Sequence, residues 1–173
     1  GGYALNHEWK ETILSMEIND DFNLNLPEGL RLVDAFGFNY SQKGFAHGRA
    51  FGYYKSNVPD DDDAERAFAS LAKAPDYDPH LDLAVMDRKK EIASFVTVWY
   101  DRRNKIGILE PVGTIPKYRR MGLARNLIYE GINRIKRKGA RKIYVGSDQE
   151  FYLAIGFSRE SYKEIWQKKW VAG

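Results

Sequence analysis

The 173-residue chain contains no cysteine. That excludes a disulfide framework, a thiolate nucleophile and a cysteine-based zinc site. Its three histidines, His7, His47 and His80, are scattered. They make no metal-ligand spacing, so no metal is expected and each reads as a surface or structural residue. No apolar run approaches the roughly 20 residues of a membrane span, and no secretory signal pattern is visible. A cytoplasmic protein without a membrane partner is the expectation. The phosphate loop ending in Gly-Lys-Ser/Thr is missing, as is the Gly-x-Gly-x-x-Gly dinucleotide turn. The most informative absence is local. No Ser, Thr, Asp or Asn occurs between Lys117 and Leu123. An amphipathic helix begins there, near Met121, and its first N–H groups need acceptors.

What is present suits one domain with a sizeable core. The chain is 43% hydrophobic and 14% aromatic, which argues against disorder. The net charge of +3 conceals an asymmetry. Residues 1–80 carry 7 basic against 14 acidic residues, and residues 81–173 carry 20 against 10. Two solvated faces account for this; so does a second half that meets an anion and a first half that faces a neutral or cationic group.

Along the chain, HEWKETILSMEI (His7 to Ile18) reads as a short helix and NDDFNLNLPEG as a linker. Residues 1–28 are therefore expected to be an N-terminal extension, possible remnant of a preceding domain, and residues 29–173 the ordered domain. Within it, Leu30 to Phe36 reads as a strand, Ser41 to Tyr54 as a helix, and Pro59 to Ala74 as a clearer helix with aspartates at its positive dipole end. Leu81 to Asp87, Glu91 to Asp101 and Ile106 to Ile115 read as strands. The uncapped helix follows, with Leu123, Leu127, Ile128, Gly131, Ile132 and Ile135 as its apolar stripe. Gly139 ends it. RKIYVGS reads as a strand, DQEFYLAI as a short helix, and GFSRESYKEIWQKKW as one or two strands. This order implies an α+β (mixed α/β) fold.

In the Ile106–Ile115 strand, alternation puts Ile106, Ile108, Glu110, Val112 and Thr114 on one face. Glu110 is a carboxylate among apolar neighbours: a strand-end residue pointing to water, or a desolvated general base in a cleft. Pro111 and Gly113 predict a bulge and a strand that parts from its neighbour near its C-terminal end, leaving backbone free for an extended ligand. At the helix start, free N–H groups, Gly122 and the guanidinium groups of Arg119 and Arg120 make an anion site in which a phosphate serves as the cap. Water and solvated arginines are the alternative.

Pro116 to Ala124, PKYRRMGLA, resembles the coenzyme-binding signature of the GNAT superfamily of N-acetyltransferases, Arg/Gln-x-x-Gly-x-Gly/Ala, through Arg119, Gly122 and Ala124. FYLAIGF at 151–157 is similar to that family's Tyr-x-x-x-Gly-Phe segment. The resemblance covers about Leu81 to Phe157. It implies a central, mostly antiparallel twisted sheet of six to seven strands, splayed at a coenzyme cleft and flanked by helices. It further implies that acetyl-CoA pairs with backbone at Val112, Gly113 and Thr114. The pyrophosphate would rest on Arg119, Arg120, Met121, Gly122, Leu123, Ala124 and Arg125. Acetyl would pass directly to a primary amine in a ternary complex, with Tyr152 protonating the leaving thiolate and Glu110 as the base. The family's Asn several residues before the tyrosine is replaced here by Ser147, Asp148 and Gln149, so the helix carrying Tyr152 is expected to be short.

The expected acceptor is a small-molecule amine or a protein amino group, with Asp60 to Asp63 as a possible attractor for a cation. The chain is expected to be a monomer or homodimer. A non-catalytic acyl-CoA-binding domain is the alternative. Nucleic-acid binding through Arg119 to Lys142 ranks low, because no nucleic-acid motif is present.

Overall fold

A computed structural model describes residues 3–53 and 63–168. The strands are β1 (Tyr3–Glu17), β2 (Arg31–Asp34), β3 (Asp82–Met86), β4 (Ile92–Asp101), β5 (Ile106–Thr114), β6 (Lys142–Gly146) and β7 (Ser158–Lys168). The helices are α1 (Tyr40–Ala50), α2 (Asp63–Leu71), α3 (Leu123–Arg137) and α4 (Glu150–Ala154). The seven strands form one sheet in the order β2-β3-β4-β5-β6-β1-β7, antiparallel except for the β5–β6 pair. The expected mixed α+β fold is what forms.

Alternation along β3 and β4 explains the layers. Leu83, Val85, Val96 and Val98 join the core under α3, which buries Leu127, Ile128, Ile132 and Ile135. Ala84, Met86, Ile92 and Phe95 face the other way and pack with Ala46 and Ala50 of α1. A sheet covered on both faces has strands buried on both faces, and β3 is buried at every position.

The first 28 residues are the main correction. Residues expected to be a short helix form β1, which lies between β6 and β7 and pairs antiparallel with both. Leu14, Ser15 and Met16 are all buried, so a boundary at residue 28 would divide strands of one sheet. Leu, Met, Glu and Lys are good helix formers, and here a position paired on both sides within the sheet overrides that preference. The linker that follows is pinned to α3. The Asn133 amide accepts from Phe22 N–H (2.9 Å) and donates to Phe22 carbonyl (2.9 Å). Asn126 does the same for Asn25, at 2.7 and 3.0 Å. Phe22 stacks on Tyr129 with ring centroids 4.0 Å apart.

The charge asymmetry resolves largely into pairs between the halves. Arg134 meets Asp34, Lys136 meets Asp21, Lys138 meets Asp78, and Lys142 meets Glu17. Asp60 to Asp62, the Pro59 start of the second expected helix, Tyr54, and the end of the last expected strand lie outside the described residues. Among the described residues no helix is long and apolar enough to cross a membrane.

Candidate functional site

The site grows from a parting of strands. β5 and β6 pair in parallel from Ile106–Lys142 to Ile108–Tyr144. Beyond that, β5 stays with β4 up to Thr114, while β6 stays with β1 up to Gly146. The edge of β5 after Ile108 therefore has no strand partner on the β6 side. The expected bulge is there as well. Val96 pairs with Val112 and Val98 with Leu109, so Glu110 and Pro111 together face Thr97. Proline suits such a position because it has no N–H to donate. Gly113 serves packing: a Cβ there would run into the Phe95 ring beneath it.

The start of α3 is as open as its sequence implies. Gly122 occupies the N-cap with φ +71, and no side chain accepts from the first turn. Arg120 also has positive φ, +63, so the chain makes a tight left-handed turn into the helix. Arg119 departs from the expectation of a ligand-facing guanidinium. Its Nη2 donates to Ala50 carbonyl (2.9 Å) and its Nε to Thr114 carbonyl (3.3 Å), and its own N–H bonds Pro116 carbonyl. Arg119 thus ties the loop to α1 and β5, while Arg120 and Arg125 stay exposed at the helix start.

A cavity of about 810 Å³ runs along these features. Val112, Gly113, Thr114, Arg119, Arg120, Gly122, Leu123, Ala124 and Arg125 line it, together with Tyr152; Met121 alone of the expected coenzyme residues does not. An unpaired strand edge, an uncapped helix start and basic residues are a donor set that fits the extended arm and phosphates of a coenzyme A thioester.

Tyr152 sits in the middle of the five-residue α4, matching the expected short helix. Its ring is held edge-on by Phe151 (5.0 Å) and Phe157 (5.8 Å). Burial pushes its phenol up to about 12. It lines a second cavity too, of about 650 Å³, which shares Phe51, Val112, Gln149 and Tyr152 with the first. Glu110 and His47 border this second cavity. Glu110 is exposed, not desolvated as the general-base reading supposed.

His47 is the residue that sequence reasoning passed over, and no pattern around it marks it. It projects from α1 into a cluster of rings, with Phe51 at 4.6 Å and Phe68 at 5.4 Å between centroids. Burial, then the nearby charge of Lys43, hold its pKa below the ordinary histidine value. Beneath it, the fully buried Lys43 pairs with Asp82 and donates to Thr97 Oγ1 (2.8 Å), while Tyr77 donates to Asp82 (2.7 Å). Among the described residues no group of His, Asp or Glu is arranged to hold a metal.

The pattern of the Acetyltransferase (GNAT) family matches residues 45–158, more than half of the chain. This protein belongs to the GNAT acetyltransferase family. No curated protein matches it by sequence. Among solved structures, a GCN5-related N-acetyltransferase from Sphaerobacter thermophilus superposes with a TM-score of 0.72 at 18% identity, covering 95% of this chain and 52% of the other. A GCN5-related glucosamine N-acetyltransferase region of a fungal multi-domain β-N-acetylglucosaminidase gives 0.63 at 12%, covering 95% and 21%. The ribosomal-protein-S18-alanine N-acetyltransferase of Escherichia coli gives 0.51 at 18%, covering 73% of each chain. At such identities the likeness concerns the GNAT fold. The chain spans about half the length of the Sphaerobacter protein.

Proposed function

We propose that this GNAT protein is an acetyl-CoA-dependent N-acetyltransferase acting on a primary amine by direct transfer in a ternary complex. The observation that carries the reading is that Tyr152 lines both of two adjoining cavities. One has the open strand edge and open helix start; the other has Glu110 and His47 on its wall. Val112 and Thr114 offer backbone to the pantetheine arm, while the Gly113 carbonyl is already taken by Ser94 Oγ at 2.9 Å. The N–H groups from Arg120 to Arg125 take the pyrophosphate as the cap of α3.

Acetyl-CoA supplies an activated acetyl group, whose C–S bond breaks as the amine nitrogen forms the C–N bond. Tyr152 donates its proton to the departing sulfur. At about 12, the phenol is a weaker acid than a free thiol, whose ordinary pKa is about 8.5. The burial that raises the phenol also raises a thiol formed beside it, which narrows that gap. Glu110 attracts the acceptor ammonium and takes one proton, directly or through water; the second nitrogen proton leaves as the tetrahedral adduct collapses and restores the Tyr152 phenol. His47, kept neutral, is a second acceptor on the same wall.

The test is thiol release from acetyl-CoA across an amine panel. We expect release with at least one amine, and Tyr152→Phe should lower kcat by about 10²–10⁴-fold with acetyl-CoA affinity within threefold. Binding of acetyl-CoA with no release for any amine would favour a non-catalytic acyl-CoA-binding domain. Unchanged turnover in Tyr152→Phe would remove the tyrosine from the mechanism.

A further inference from the structure

Beyond the cavity that joins Tyr152 to Glu110 lies a third, of about 610 Å³. Its walls come from α1, α2, β4 and β5. Among the described residues Ala67, Phe68, Leu71, Trp99 and Pro111 line it, with His47 and Glu110 as its polar members. His47, Glu110 and Pro111 also line the middle cavity, so the three spaces adjoin one another through shared walls from the α3 start to this end. Its size falls within the range typical of small-molecule sites, roughly 300–1,000 Å³.

The chemistry of the walls selects among amines. The indole N–H of Trp99 is already donated to Glu110 carbonyl at 2.8 Å, so the ring meets the cavity as an apolar face. Lys43 is buried against Asp82 below α1, so its charge is met within the protein. What remains among the described residues is one carboxylate at the boundary with the middle cavity and one neutral imidazole packed against Phe68. A sugar or a second ammonium seated here would exchange water for hydrocarbon without matching partners, which is costly. A ring would lose nothing polar and bury apolar surface.

We infer that the acceptor is an amine carrying a compact aromatic or similarly apolar group, which seats between Phe68, Leu71, Trp99 and Pro111 while its ammonium meets Glu110. This rests on the acetyl-transfer reading of the same site, and its test reads binding instead of turnover. The CoA-loaded protein is titrated calorimetrically with phenethylamine, ethanolamine and putrescine. Phenethylamine should bind at least tenfold more tightly than either polar amine, the order of discrimination an apolar pocket provides. Leu71→Glu should abolish that preference with acetyl-CoA affinity within twofold. Should Leu71→Glu fail to fold by circular dichroism, Ala67→Glu at an exposed position of the same wall takes its place. Equal or weaker binding of phenethylamine, no detectable binding of it, or a preference that survives the glutamate overturns the inference. Preferential phenethylamine binding without thiol release would instead sink the transfer reading and leave the pocket's selectivity standing.

Discussion

Two helices of this protein begin in opposite ways. At α1, Asn39 Oδ1 accepts from Gln42 N–H (2.8 Å) while Gln42 Oε1 accepts from Asn39 N–H (2.9 Å), a complete capping box. At α3 the N-cap is a left-handed glycine and no side chain reaches the first turn. The difference is one of purpose. A helix that serves the fold closes its own end, while the end left open faces a cavity with arginines around it. Even the buried charge under α1 is internally met, by Lys43 and Asp82. Alterations of α1 should therefore register as stability, and alterations at the start of α3 as ligand affinity.

The largest expected effect tests the closed side. Lys43→Met leaves Asp82 buried without its cation and should cost about 3–5 kcal/mol in denaturant unfolding. A loss under 1 kcal/mol would mean the pair is not the support that its burial implies. Next comes the open side. Gly122→Asp puts a carboxylate where the phosphate is proposed to sit, at a φ that side chains resist. Acetyl-CoA affinity should fall about 100-fold, near 2.7 kcal/mol, by calorimetry; an unchanged affinity would break the comparison. Removing the α1 cap with Asn39→Ala should cost about 1 kcal/mol of stability and leave acetyl-CoA affinity within twofold.

The smallest effect concerns His47. Its folded pKa lies below the ordinary 6.5. Between those two values the unfolded chain binds more protons, so stability rises with pH across that window and falls as pH drops through it. The lowered carboxyl groups, Asp34, Asp78, Asp87 and Asp101 from 3.8 and Glu160 from 4.5, act below those ordinary values and do not overlap. His47→Gln should flatten the change in Tm between pH 7 and 5.5. An unchanged slope would show that the imidazole titrates freely.

Legibility followed the range of the forces involved. The strands of the second half, the uncapped helix, the bulge at Pro111 and the short helix of Tyr152 were all readable, because each follows from neighbouring residues. β1 was not readable. Its sequence favours a helix in isolation, and only the slot between β6 and β7 makes it a strand. Arg119 was seen as charged, but that its guanidinium holds Ala50 and Thr114 depends on where α1 ends. His47 had no local mark at all. Its significance comes from Phe68, Trp99 and Glu110, which line one cavity with it from α2, β4 and β5.

The start of α3 was decided in sequence, since capping depends on a few adjacent side chains and their absence can be read directly. The mixed fold was readable from the same short-range patterns. Assembly decided the rest: the placement of β1, the salt bridges that join an acidic first half to a basic second half, and the run of cavities from the helix start to Trp99. Lys43 and Asp82 lie 39 residues apart, and Asn126 holds a segment 101 residues away. Such contacts form only when the sheet brings distant segments together, and no local pattern of residue types specifies them.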